Sequence, residues 1–278
     1  MPDDRAAVEI LLRTVQARFG FPPLSEEAWV AFDAGAGDAG WLVESSDGLA
    51  GFTHRRLHRG TMVGEMVLDG PAAPQAADLL IGAIRHDEGG SRVRLWASDP
   101  ATTAAAIGAG AFPGRRLVRL QRPLPADPPP PITGVRIVPF VLPSDIEAYL
   151  AVANEAFRHH PESSAWTRET FDERAGRRWF DPGGLFLAWQ EDRPIGACWT
   201  KLHDGGVGEI YSIAVVPEAG GRGLGRALVL SGFDYLATRR RAAVGMLWAD
   251  QANEAAVSLY RRLGMDAVRE RIELLLEG

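Results

Sequence analysis

The feature that most constrains this chain is an apolar strand that runs through a glycine turn into a helix. Gly208-Glu209-Ile-Tyr-Ser-Ile213-Ala214-Val215-Val-Pro217 is rich in strand-forming residues and stops at proline. Gly220-Gly221-Arg222-Gly223-Leu224-Gly225-Arg226 follows, and a helical pattern opens at about Leu224. A strand, a glycine loop and a helix N-terminus make an anion site. The glycines let the backbone come close, and successive N–H groups and the positive helix end face the charge. The spacing excludes two common phosphate loops. A G-x-G-x-x-G turn needs glycine where Arg226 or Leu228 stands, and a P-loop needs Gly-Lys-Ser/Thr. A βα turn with no ligand is the other reading of such a loop, and the downstream sequence weighs against it.

Downstream, Val244-Gly-Met-Leu-Trp248-Ala-Asp250 reads as a strand. Asn253-Glu-Ala-Ala-Val-Ser258-Leu-Tyr260-Arg-Arg-Leu-Gly264 reads as a capped helix that ends at glycine. The loop and this helix, in this order, resemble the GNAT acetyltransferases. Their acyl-CoA loop is usually Arg/Gln-x-x-Gly-x-Gly/Ala, and Gly220 replaces its first Arg/Gln here. The resemblance implies acetyl-CoA as co-substrate and no metal. It places the backbone of Ile213, Ala214 and Val215 along the pantetheine, and the loop from Gly220 to Arg226 on the pyrophosphate. Asn253 and Ser258 belong to the same cofactor-facing set, and Tyr260 points at the thioester sulfur. Taken alone, Tyr260 reads first as a half-buried helix tyrosine; both motifs in this order and separation weigh against that.

Composition narrows the class. The chain has 278 residues, 46% hydrophobic and 24% charged, which suits a soluble protein of two ordinary domains. A net charge of −6 argues against a general nucleic-acid binder. No apolar run is long enough to span a bilayer, and Met1-Pro-Asp-Asp lacks a signal peptide's basic and apolar regions. The single cysteine, Cys198, allows no internal disulfide, and the six histidines show no metal spacing. A cytoplasmic monomer acting on a small-molecule amine, with no nucleic-acid or membrane partner, is the expectation.

Arg122-Pro-Leu-Pro-Ala-Asp-Pro-Pro-Pro-Pro131 is too proline-rich for helix or sheet and reads as an extended linker. The flanks look alike. Val93-Arg-Leu-Trp96-Ala matches Gly245-Met-Leu-Trp248-Ala, and Val63-Gly-Glu-Met66 matches Val207-Gly-Glu-Ile210. The expected fold is therefore α/β of the α+β type: two tandem GNAT folds, each a mixed central sheet flanked by helices. Residues 1–122 form a degenerate first domain, 123–134 the linker and 135–278 the catalytic domain. The first copy has Asp69-Gly-Pro-Ala-Ala-Pro-Gln75 where the glycine loop belongs, and its prolines remove N–H donors. Gly108 stands where Tyr260 stands in the second copy.

Of 30 basic residues 29 are arginine, and the exception is Lys201. Its strand, Pro194 to His203, precedes the Glu209 strand, and a hairpin across Asp204-Gly205-Gly206 sets Lys201 and Glu209 face to face. Cys198 alternates away from that face and reads as core. Ser144 with Glu147 reads as a capping box opening one helix, and residues 167–179 read as a second.

Asn154-Glu-Ala-Phe157-x-x-His160-Pro161-Glu162-x-x-x-Trp166-Thr167, Trp179-Phe-Asp-Pro and Trp199-Thr-Lys201 resemble the mycothiol synthase family, tandem GNAT enzymes that acetylate cysteinyl-glucosaminyl-inositol. That resemblance implies substrate contacts from Glu162, Lys201 and Glu209, and from Glu26 in Pro23-Leu-Ser-Glu26. It implies proton removal by Glu209 and proton donation by Tyr260. Glu162 also reads as a helix-initiating surface acid, and Glu26 as a first-turn acid after Ser25. A family tyrosine that touches substrate is Trp248 here, which removes a hydroxyl. Acetylation of another amine, or a CoA-binding regulatory role without catalysis, stay open at this point.

Overall fold

The computed structural model describes residues 2–25, 28–29, 32, 38–46, 48–58, 61–89, 91–158 and 166–277. The chain forms two compact units. The first contains Met1–Val118, Asp250–Ala252 and Arg269–Gly278, and the second Arg119–Ala249 and Asn253–Val268.

In the first unit, helix α1 (Pro2–Phe19) is followed by strands β1 (Asp38–Ser45), β2 (Gly48–His58) and β3 (Thr61–Leu68). Helix α2 (Ala73–Asp87), strand β4 (Val93–Ala97), helix α3 (Pro100–Gly108) and the start of β5 (Phe112–Pro123) come next. Strands β1, β2 and β3 pair antiparallel, and β3 pairs parallel with β4. Alternation along β3 sorts two cores. Val67 joins Val8, Leu11, Leu12 and Val15, a helical stripe of α1. Met66 and Leu68 join Ala76, Ala77, Leu80, Ile81 and Ile84 of α2.

The other side of β4 is taken by the last strand of the chain, β11 (Asp266–Leu276), antiparallel, with Leu274 opposite Leu95. Arg94 and the buried Glu273 form an ion pair there, and the Arg115 N–H of β5 donates to Glu273 at 3.1 Å.

In the second unit, β6 (Arg136–Pro139), helices α4 (Ile146–Ala156) and α5 (Arg168–Ala175), and strands β7 (Leu185–Gln190), β8 (Arg193–Leu202) and β9 (Val207–Val215) lead to helix α6 (Leu224–Thr238). Strand β10 (Val244–Asp250) and helix α7 (Glu254–Arg262) complete it. The strand order here is β5-β10-β9-β8-β7-β6, with Arg119 onward supplying the β5 edge.

Two local expectations need correction. Ser144 caps no helix. Its hydroxyl donates to the Val141 carbonyl at 3.1 Å, and α4 starts at Ile146 with no side-chain cap. The helix opened by Thr167 is capped by a box with Thr170, but it stops at Ala175 before Gly176. Beyond that stop, Trp179 and Phe180 turn in against the buried Trp199, with ring centroids 6.0 and 5.4 Å from it. Burying two aromatic side chains outweighs another turn of exposed helix.

Leu274 is 0% exposed and joins the α2 core. Leu274→Ala is expected to lower the stability of the first unit by about 2–5 kcal/mol in urea unfolding. Val268→Ala, in the second unit at a position 48% exposed, should change that unit's stability by less than about 0.5 kcal/mol.

Candidate active site

The site is built around β9. Helix α6 lies close on one face of β8 and β9 because Gly232 lacks a side chain. A Cβ there would stand 2.6 Å from Ile210 Cδ1 and 3.0 Å from Cys198 Sγ. Cys198 is therefore core, as its alternation predicts, and burial pushes its thiol up to about 12, far from a nucleophile's range.

The opposite face carries the charged pair. Lys201 and Glu209 stand directly across from each other on β8 and β9, 5% and 9% exposed. A β-bulge between the rungs Trp199–Ser212 and Thr200–Ile210 adds one residue, Tyr211, to β9. Trp179 and Tyr211 pack ring on ring at 4.8 Å, and the Lys201 ammonium lies 5.0 Å from the Trp179 ring and 5.9 Å from that of Tyr211. The rings offer π-faces to a cation held out of water. Glu209 Oε2 accepts a 2.6 Å hydrogen bond from His203 Nε2.

On its other side β9 pairs in parallel with β10 over three rungs only, ending at Met246 and Glu209. Beyond that rung the two strands part. Ile213, Ala214 and Val215 pair with β8 and have no β10 rung, while Trp248 stands two residues past the parting, half-buried. A gap between parallel strands with one backbone edge unpaired is a place for an extended chain carrying amides.

The loop after β9 has the backbone its glycines promise. Gly221 and Gly223 take φ of +72° and +82°, and Gly223 is the N-cap of α6 with no side-chain capping bond. The first-turn N–H groups of Leu224, Gly225 and Arg226 are thus not engaged by a capping side chain, and Gly220, Gly221, Arg222 and Arg226 are exposed. On α7, Asn253 spends its side-chain oxygen on its own helix, accepting from Ala256 N–H at 3.1 Å. Ser258 is exposed and accepts from Arg262 at 2.6 Å. Tyr260 is 5% exposed, and burial pushes its hydroxyl up to about 12, so it keeps its proton throughout the neutral range. Glu26 and Glu162 lie outside the described residues.

Sequence reading missed four side chains at this site. Given the Lys201–Glu209 rung, His203 lies two residues on along the same face and diagonal to Glu209, so the hairpin itself held that signal. Trp179 and Tyr211 needed the helix stop and the bulge. Arg119 of β5 interacts with the Glu209 charge, and burial lowers its pKa while Glu209 offsets part of that. Nothing local marks it.

Comparison with known proteins gives this arrangement its kin. Residues 149–265 match the acetyltransferase (GNAT) family model. A mycothiol acetyltransferase of Thermobispora bispora is 39% identical over 95% of this chain and 92% of its own. The chain belongs to the mycothiol acetyltransferase family. A second relative with that name, from Gordonia bronchialis, is 37% identical over 94% of this chain and 88% of its own. Solved structures extend the fold of this mycothiol acetyltransferase family member. A GCN5-related N-acetyltransferase from Sphaerobacter thermophilus superposes with a TM-score of 0.75 at 23% identity, covering 100% of this chain and 93% of that one. A tandem GNAT protein from the clavulanic acid pathway gives 0.59 at 15% identity, covering 86% and 82%. GNAT acetyltransferases use acetyl-CoA, and the parted strands and uncapped helix end have the chemistry to receive it.

Two alanine substitutions separate backbone demand from ligand demand. Gly223→Ala forces an L-residue into left-handed backbone and should cost about 1–2 kcal/mol. A Cβ on Gly225 would meet Leu259 at an ordinary 3.5 Å, so Gly225→Ala should keep the wild-type melting temperature. Thermal unfolding alongside acetyl-CoA titration checks both.

Proposed function

We propose that this chain transfers the acetyl group of acetyl-CoA to the cysteinyl amine of cysteinyl-glucosaminyl-inositol, giving mycothiol. The observation that carries the reading is the position of Glu209. A buried carboxylate sits at the last rung before β9 and β10 part, where a thioester lying in the gap would meet an amine coming from the Lys201 face.

The N–H groups at the start of α6, with Arg222 and Arg226, take the pyrophosphate. The free edge of Ile213, Ala214 and Val215 pairs with the pantetheine amides, and Asn253 and Ser258 border the arm. A primary α-amine has a pKa of about 7.7–8.0, so its loss of a proton needs only a modest base. Glu209 takes that proton. An N–H near Ile213 polarises the thioester carbonyl. Tyr260, held protonated by burial, supplies the proton to the departing thiolate. Lys201 and Trp248, with Glu26 and Glu162, bind the sugar and inositol. Because amine and thioester lie in one site, orientation supplies much of the rate.

We assign the chemistry to residues 135–278, with 1–122 as a degenerate partner joined through 123–134. In support, the turn after β3 holds no glycine loop. Asp69 pairs with Arg18, and α2 opens on Ala72 with proline in its first turn. An acid already stands where an anion would bind. The protein acts in the cytoplasm as a monomer. Among the described residues, no helix is long and apolar enough to cross a membrane.

The decisive experiment is acetyl-CoA turnover with cysteinyl-glucosaminyl-inositol beside aminoglycosides, polyamines and peptide amines. Preference for the cysteinyl sugar by 100-fold or more in kcat/KM, about 2.7 kcal/mol, supports the reading. Equal rates on a polyamine would move the function to another amine. Calorimetry should find one acetyl-CoA site per chain, and two equivalent sites would return the first half to CoA binding. Tyr260→Phe keeps the ring and loses the donor. It should lower kcat by roughly 100-fold with little change in acetyl-CoA KM, read by steady-state kinetics.

A further inference from the structure

The Glu209 carboxylate has two oxygens, and the structure commits one of them. His203 Nε2 stands 2.6 Å from Oε2. With the carboxylate ionised, Nε2 must carry the proton and donate it. We propose that His203 is the positioning residue of Glu209: it holds Oε2 and leaves Oε1 for the acceptor amine. The proposal rests on the reading that Glu209 removes the amine proton.

The hairpin fixes His203 where this needs it. Its N–H donates to the Val207 carbonyl at 2.9 Å, and its carbonyl accepts from Gly206 N–H at 3.3 Å. Gly205 and Gly206 close the turn at φ of +82° and +78°, a backbone that side chains resist. The imidazole projects on the Lys201 face, diagonal to Glu209. Its side chain is 33% exposed and that of Glu209 is 11% exposed. A carboxylate removed from water needs a donor in its place.

The other charged groups facing Glu209 act differently. Lys201 is directly opposite on β8, but its ammonium lies over the Trp179 and Tyr211 rings. Arg119 on β5 acts on Glu209 through its charge. The His203 bond selects Oε2, and it fixes the direction in which the remaining lone pairs point. Misplacing a reacting group by about 1 Å costs on the order of 100-fold in rate, so the choice bears on turnover.

The test uses the full-length enzyme with acetyl-CoA and the acceptor it turns over fastest. His203→Ala should lower kcat roughly 10- to 100-fold while acetyl-CoA KM and binding stay at wild-type values. His203→Gln places an amide N–H near the position of Nε2 and should restore kcat. His203→Asn, whose amide reaches only the Nδ1 position, should not restore it. Wild-type kcat in His203→Ala would overturn the proposal. So would a Gln variant as slow as the Ala variant while binding acetyl-CoA normally. Glu209→Gln separates the two readings. If it turns over at the wild-type rate, Glu209 is not the base and the proposal falls with it. If it is inactive while His203→Ala is normal, only the positioning role falls.

Discussion

Strand β9 is under two opposed demands. It pairs with β8 along its length, yet it keeps β10 for three rungs and then loses it. Backbone groups abandoned in this way are costly unless something else takes them. The rest of the second unit serves this arrangement. Helix α6 presses on one face through Gly232 and brings its N-terminus to the end of β9. The aromatic packing around Trp199 fills the other face. The bulge at Tyr211 sharpens the twist where the parting begins. Glu209 occupies the last shared rung, which puts one carboxylate between sheet interior and gap.

What could be read from the sequence was what short spans determine. The glycine loop announced its own backbone, and Gly221 and Gly223 have the positive φ that their type suggests. The hairpin pairing of Lys201 with Glu209 followed from a three-residue turn between two alternating strands. Family membership came from spaced motifs in the second half. What could not be read depends on residues far apart. The ring packing around Trp199 draws on Tyr149, Trp166, Phe171, Trp179, Phe180 and Tyr211, spread over the second half with no common period. The early stop of α5 is part of the same packing. Arg119 reaches Glu209 only because the end of β5 lies beside β10, which no local pattern encodes.

The first unit repeats one rung of the second with another outcome. His54 faces Glu65 across β2 and β3 as Lys201 faces Glu209 across β8 and β9. Burial lowers the His54 pKa, with the Glu65 charge offsetting part of that, and this favours a neutral ring at that rung. Glu65 itself accepts from Ser25 N–H at 2.6 Å and pairs with Arg271 at 2.8 Å. Glu65 is thus held by a backbone N–H and an arginine, whereas Glu209 is held by His203. The difference lies in what surrounds the carboxylate, not in the carboxylate.

That Arg271 comes from β11 has a consequence for how the protein is made. Synthesis runs from the N-terminus, yet the sheet of the first unit needs residues 269–276 to cover β4. Until they emerge, β4 offers an open edge of the kind that invites pairing with other chains. Glu65 and Arg94 also lack the partners that β11 brings. The half translated first is therefore the half completed last. Strand β4 ends at Ala97 and β11 begins at Asp266, so the nascent chain carries an open sheet edge while strands β6 to β10 are all being made.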